Sequence, residues 1–273
     1  MSVTIYTAPN CARCTILKEF LASRGEDYVA YDFLADKDIF SAFYREHRAC
    51  LHRDEENSLE FPIYDDGSRV LQGIGEILAA LIAGDGLAGC VGTTGLLHGW
   101  ISGINVSACP AGEEEHLLIL LQLLTKGGLS VHLDCDGRRP ELLEKILGEG
   151  LAARLTLNIL GPAEMYPDMA DGPLLPDDMK RSVALARATP GAVIRFLVAA
   201  HGPAGSLRIS PEQAGQAARW ILELCGDRML PVFIEAGPAG SLPALTDQDL
   251  LAYRAKVRAA LVRAEINRPQ QHR

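Results

Sequence analysis

From residue 99 onward, short apolar runs alternate with stretches of helical spacing, and that alternation constrains the fold more than any other feature of the chain. Runs at Trp100–Val106, Ser130–Leu133, Arg154–Leu160, Val193–Ala199 and Pro231–Glu235 are each followed by a helical pattern, at Glu113–Thr125, Glu141–Leu147, Asp177–Ala188, Pro211–Leu224 and Asp247–Val262. Strand followed by helix, five times over, predicts parallel strands joined by right-handed crossovers: an α/β chain with an open, partial (β/α) barrel. Ligand sites in such sheets gather at the carboxyl ends of the strands. Asp134, Asn158, Arg195, His201 and Glu235 fall at predicted strand ends and could line a pocket there. Each also has a plainer role to hand, Asp134 and Asn158 as loop caps and His201, beside Gly202-Pro203, as a turn residue.

The first 84 residues read differently. Strand (Val3–Tyr6), helix, strand (Tyr28–Phe33), helix (Lys37–Arg48), two strands (Phe61–Tyr64 and Arg69–Gln72) and a last helix (Ile74–Ala83) predict a smaller α/β domain. The first strand runs into Cys11-Ala12-Arg13-Cys14, and Ile16, Leu17, Phe20 and Leu21 recur behind it at helical spacing, with Gly25 placed to end the helix. A cysteine at the first turn of a helix gains from unpaired amide N–H groups and the positive dipole end, which favours the thiolate. Cys11 is the expected attacking sulfur, Arg13 a neighbouring cation, and Cys14, one turn on, the resolving sulfur. The alternative is half a zinc or iron–sulfur site, but no second Cys-x-x-Cys supplies the other ligands.

At 273 residues, two domains of ordinary size are expected: 1–84, a glycine-rich linker at 85–98, 99–265, and a polar tail at 266–273. A formal charge of −9 and no basic run argue against a nucleic-acid partner. Seven cysteines at irregular spacing, and no charged-then-apolar leader, predict a reducing, cytoplasmic setting. Residues 86–112 carry no Asp, Glu, Lys or Arg, and Gly95, Gly99 and Gly103 have the spacing of a membrane-helix interface. Seven glycines, Asn105 and Pro110 make that stretch too polar for a membrane span, so it reads as linker plus buried strand, with no membrane partner. His47, Cys50 and His52 tempt a metal assignment, but three ligands amid Arg45, Arg48, Arg53 and Asp54–Glu56 fit a solvated helix end equally well. Cys90, Cys109, Cys135 and Cys225 read as scattered core residues. No Ser-His-Asp arrangement, Walker loop or dinucleotide fingerprint occurs.

Tyr6-Thr7-Ala8-Pro9-Asn10-Cys11-Ala12-Arg13-Cys14, then Phe61-Pro62, the Asp65-Asp66-Gly67 hairpin and Gly73-Ile74-Gly75, resemble the glutaredoxins and their thioredoxin fold over the whole first domain. The resemblance implies a cis-proline at Pro62 facing Cys11, and a substrate-binding set of Pro9, Arg13, Phe61, Pro62 and Gly73 around a peptide or glutathione. Ile74 and Glu76 replace the small hydroxyl or acidic pair with which glutathione-using members grip the γ-glutamyl group, so either glutathione or a separate thiol reductase is an expected reductant.

Ser130–Gly137, Pro140-Glu141-Leu142-Leu143, Leu157–Pro162, Glu164-Met165-Tyr166 and Ile194-Arg195-Phe196 resemble the radical S-adenosylmethionine activases, closest to the type that activates anaerobic ribonucleotide reductase. What makes that family catalytic is missing. No Cys-x3-Cys-x2-Cys run exists to hold a four-iron cluster. Ser102-Gly103-Ile104-Asn105-Val106 stands where the family has Gly-Gly-Glu-Pro, and Asn158 and Leu160 stand where it has an Asp and a Lys. The resemblance implies a degenerate barrel that docks a partner, binds another small molecule or is retained for packing alone. An anaerobic enzyme such as ribonucleotide reductase is the disulfide client it suggests. The competing expectations are a metal-holding module without catalysis, and a cluster held by scattered cysteines such as Cys90 and Cys109.

Overall fold

The computed structural model describes residues 3–53, 57–92, 99–170 and 172–267. Residues 54–56 of the charged helix end, 93–98 of the expected linker and 268–273 of the expected tail lie outside the described residues. The N-terminal elements are β1 (Val3–Thr7), α1 (Ala12–Ser23), β2 (Tyr28–Asp32), α2 (Lys37–His47), β3 (Ile63–Asp65), β4 (Val70–Gln72) and α3 (Ile74–Ala83). They are followed by β5 (Trp100–Asn105), α4 (Glu114–Lys126), β6 (Ser130–Cys135), α5 (Pro140–Gly148), β7 (Arg154–Ile159), α6 (Tyr166–Met169) and α7 (Pro176–Ala188). The last elements are β8 (Val193–Val198), α8 (Pro211–Cys225), β9 (Val232–Ala236), α9 (Asp247–Arg258) and β10 (Ala264–Ile266).

Two sheets result. A four-stranded mixed sheet has the order β2-β1-β3-β4, with β1 parallel to β2 and antiparallel to β3. A six-stranded all-parallel sheet runs β10-β9-β8-β7-β6-β5, each strand beside its neighbour in sequence. The expected five strands are six. The helix read over Asp247–Val262 stops at Arg258, and Ala264–Ile266 then pairs in parallel with Val232–Ile234. Ile266, placed in the polar tail by composition, is therefore part of a strand.

The chain divides into two compact units, residues 1–133 with 146–153, and residues 134–145 with 154–273. Residues 85–92, the described part of the expected linker, carry buried contacts of their own. Leu87 and Cys90 are fully buried, Gly92 N–H donates to the Gly103 carbonyl (2.7 Å), and Asn105 N–H donates to the Cys90 carbonyl (2.8 Å). Helix α4 then packs against α3, and a Cβ at Gly127 would stand 2.3 Å from the Ile16 side chain of α1. Apolar burial ties residues 85–92 and 99–133 to the first unit.

In the second unit β8 and β9 alternate in burial, whereas β7 is buried on both faces from Leu155 to Ile159. Ile194, Phe196, Val198, Val232 and Ile234 are buried, while Val193, Arg195, Leu197, Phe233 and Glu235 keep partial exposure on the opposite face. Helices α7, α8 and α9 pack in sequence, α7 against β7 and β8 and α9 against β9. Capping boxes start two of these helices: Ser210 with Gln213 at α8, and Thr246 with Asp249 at α9.

Candidate functional site

Cys11 is the N-cap of α1, as its position behind β1 predicts. Its backbone is extended, its carbonyl accepts from Thr15 N–H (3.1 Å), and its Sγ accepts from Cys14 N–H at 3.1 Å. Asn10 supplies the left-handed turn that brings the chain there, a conformation asparagine tolerates better than most residues. Cys11 and Cys14 form a disulfide with Cα atoms 5.2 Å apart. The sulfurs are unequal: Cys14 is 3 % exposed, whereas Cys11 is only partly buried. A cleft of about 670 Å³ opens beside them, lined among others by Pro9, Cys11, Cys14, Lys18, Asp32 and Asp36.

The Phe61–Pro62 peptide bond is cis. Tyr6 pairs with Ile63 across β1 and β3, so continuing the register sets Thr7, from which the disulfide turn departs, opposite Pro62. Phe61 stacks on Phe33 (5.0 Å between centroids) in a cluster with Phe40. Gly73 N–H donates to the Pro62 carbonyl (2.9 Å), and Gly73 adopts φ +86°, open to glycine and costly for other residues.

Arg13 does not stand on the surface as a cation offered to substrate. Its side chain is 9 % exposed, paired at 3.1 Å with Glu60, itself 7 % exposed, and it also donates to the Trp100 carbonyl at 2.5 Å. Burial pushes the Arg13 pKa below its ordinary value, and the Glu60 carboxylate opposes that shift. Glu60 is held in turn, since a Cβ on Gly73 would lie 2.9 Å from its carboxylate carbon and the Gln72 amide donates to its backbone carbonyl (3.2 Å). Sequence reasoning passed over Glu60. The available signal was a carboxylate directly before Phe61-Pro62, facing a buried motif that carries one arginine.

Of the five candidate barrel residues, four meet. Arg195 donates through Nε to Asn158 Oδ1, through Nη1 to Glu235 (2.7 Å) and through Nη2 to Asp134 (3.1 Å). Asn158 also donates to Asp134 (3.1 Å), and Asn267, just past β10, donates to Glu235 (2.6 Å). Asp134 and Asn158 are thus not loop caps. They belong to a row crossing β6, β7, β8 and β9, with Arg195 directly opposite Asn158 in register. Every nitrogen of the Arg195 guanidinium is engaged, which makes the row a brace between strands. His201 stands apart, past the end of β8, bridged through its backbone to Leu207. Burial lowers the His201 pKa from its ordinary 6.5, partly offset by the charge of Asp136.

The other cysteines are dispersed. Cys90, Cys109 and Cys135 are buried, and burial pushes the Cys135 thiol up. Exposed Cys50 donates to the His47 carbonyl (3.0 Å), the His47 ring meets that of Phe43 at a tilt, and His52 meets Gln72 through its backbone. Among the described residues no group of three or more His, Cys, Asp or Glu is arranged to hold a metal ion, and no helix is long and apolar enough to cross a membrane. Compared with models of protein families and with curated proteins, the chain finds no match.

Proposed function

We propose that this chain is a thiol–disulfide oxidoreductase whose working pair is Cys11 and Cys14. The observation that carries the reading is a disulfide at the N-terminus of a helix with one accessible and one buried sulfur. In the reduced protein, Cys11 thiolate attacks one sulfur of a client disulfide, forming a mixed disulfide and releasing the first client thiolate. Cys14, deprotonated, then attacks Cys11 Sγ, closing the Cys11–Cys14 disulfide and releasing the second client thiolate. Two electrons pass to the client, and two protons from the dithiol complete its thiols. Glutathione or a dithiol reductase returns the pair to its starting state. The Cys14 amide at 3.1 Å and the helix dipole favour the Cys11 thiolate.

The β2-β1-β3-β4 sheet with the disulfide turn leaving β1 beside cis-Pro62 fits a thioredoxin-type, glutaredoxin-like fold. The consecutive strand order of the parallel sheet, with helices over the buried face, fits an open, partial (β/α) barrel. With Arg195 braced by its neighbours, that barrel serves partner choice and not S-adenosylmethionine cleavage. A cytoplasmic setting and an anaerobic enzyme as client complete the reading.

The test is disulfide reduction of insulin and of candidate clients by wild type, Cys11→Ser and Cys14→Ser. Cys11→Ser is expected to abolish turnover, and Cys14→Ser to trap a mixed disulfide on Cys11. Unchanged turnover in Cys11→Ser refutes the assignment.

A further inference from the structure

Resting on the thiol–disulfide reading above, we propose that Glu60 tunes the Cys11–Cys14 couple by neutralising Arg13, the one charge carried between the two cysteines in the chain. Arg13 lies inside the turn that holds both sulfurs, and its guanidinium points inward, away from the screening of water. A buried cation acts over a longer reach than an exposed one, because the effective dielectric constant around it is lower. Left uncompensated there, it favours the thiolate form of Cys11, hence the dithiol over the disulfide, and makes the pair a stronger oxidant. Glu60 cancels it at 3.1 Å.

The surrounding architecture keeps that carboxylate in place. Gly73, with φ +86°, leaves the room that a Cβ would take from Glu60, and the Gln72 amide holds the Glu60 carbonyl while its other bonds reach the backbone of His52. With the pair neutral, the acidity of Cys11 rests on the Cys14 amide, the helix N-terminus and the charged residues of the cleft. The reading in which Arg13 itself activates the thiol is thereby replaced by one in which Glu60 holds that activation back.

The reaction that reports this is the exchange of the Cys11–Cys14 disulfide with two glutathione thiols, giving the protein dithiol and one glutathione disulfide. Two electrons move to the protein, and the two thiol protons move with them. Full-length wild type, Glu60→Gln and Arg13→Met/Glu60→Gln are equilibrated in glutathione buffers of graded ratio, and the dithiol fraction is read after alkylation. Lys18, Asp32 and Asp36 line the cleft in all three proteins, so their effect is common.

Glu60→Gln is expected to shift the equilibrium about tenfold toward the dithiol, which is about 30 mV for this two-electron couple. The charge-neutral double variant is expected to return to within about twofold of wild type. Thiolate absorbance against pH should move the same way, Cys11 titrating lower in Glu60→Gln. A Glu60→Gln protein that loses thermal stability with an unchanged equilibrium overturns the proposal, because the pair is then purely structural. Equal shifts in the single and double variants overturn it too, since the effect is then not the charge of Arg13. A wild-type protein with no reversible couple in these buffers defeats the thiol–disulfide reading itself.

Discussion

Two arginines in this chain sit among carboxylates, and they do so in opposite ways. Arg13 is 9 % exposed, and its partners include an equally buried carboxylate and the Trp100 carbonyl. Arg195 is 21 % exposed, between Asp134 and Glu235, each 23 % exposed. Coulomb attraction between unit charges is several times stronger where water is excluded, but so is the penalty for leaving one charge alone. The first arginine is therefore costly to disturb and sensitive to its partner. The second is screened and redundantly held. Burial separates a strut from a brace.

The sharpest way to break that contrast is to remove each cation. Arg13→Met removes the cation paired with buried Glu60 and is expected to lose about 3–5 kcal/mol in chemical denaturation. Gly73→Ala comes next. It forces a left-handed backbone onto alanine and drives a methyl into the Glu60 carboxylate, with an expected loss of about 2 kcal/mol on the same measurement. Arg195→Met is expected to cost least, about 1 kcal/mol, and less again in high salt. An Arg195→Met loss equal to that of Arg13→Met would show that the sheet face is as dry as the Arg13 pocket and would erase the distinction.

Local pattern made a good part of this legible. The β1–Cys11–α1 junction, the strands near Tyr28 and Val193, and the helices ending near Ala83 and Ala188 follow from apolar periodicity and caps, which act over a turn or two. What was not legible acts at a distance. Glu60 lies 47 residues from Arg13, and a lone glutamate in an irregular segment reads as a solvent-facing charge. Residues 85–92 read as a linker because glycine content marks flexibility, yet Leu87 and Cys90 are buried and the Cys90 carbonyl accepts from Asn105 N–H on the following strand. Strand β10 is three residues long, too short for a period-two signal. The residues of the Arg195 row were chosen for their places near strand ends, but their mutual bonds depend on register between strands, which no single segment encodes.

Under the proposed thiol–disulfide exchange, the unequal burial of the two sulfurs has a kinetic meaning. An outside thiol meets Cys11 in a second-order encounter, at a rate that follows its concentration. Any adduct formed there has Cys14 already waiting in the same turn, its Cα 5.2 Å from that of Cys11 in the closed pair. Release is then first-order, at an effective concentration fixed by the chain. The lifetime of the intermediate is a property of the protein, while its frequency belongs to the surroundings.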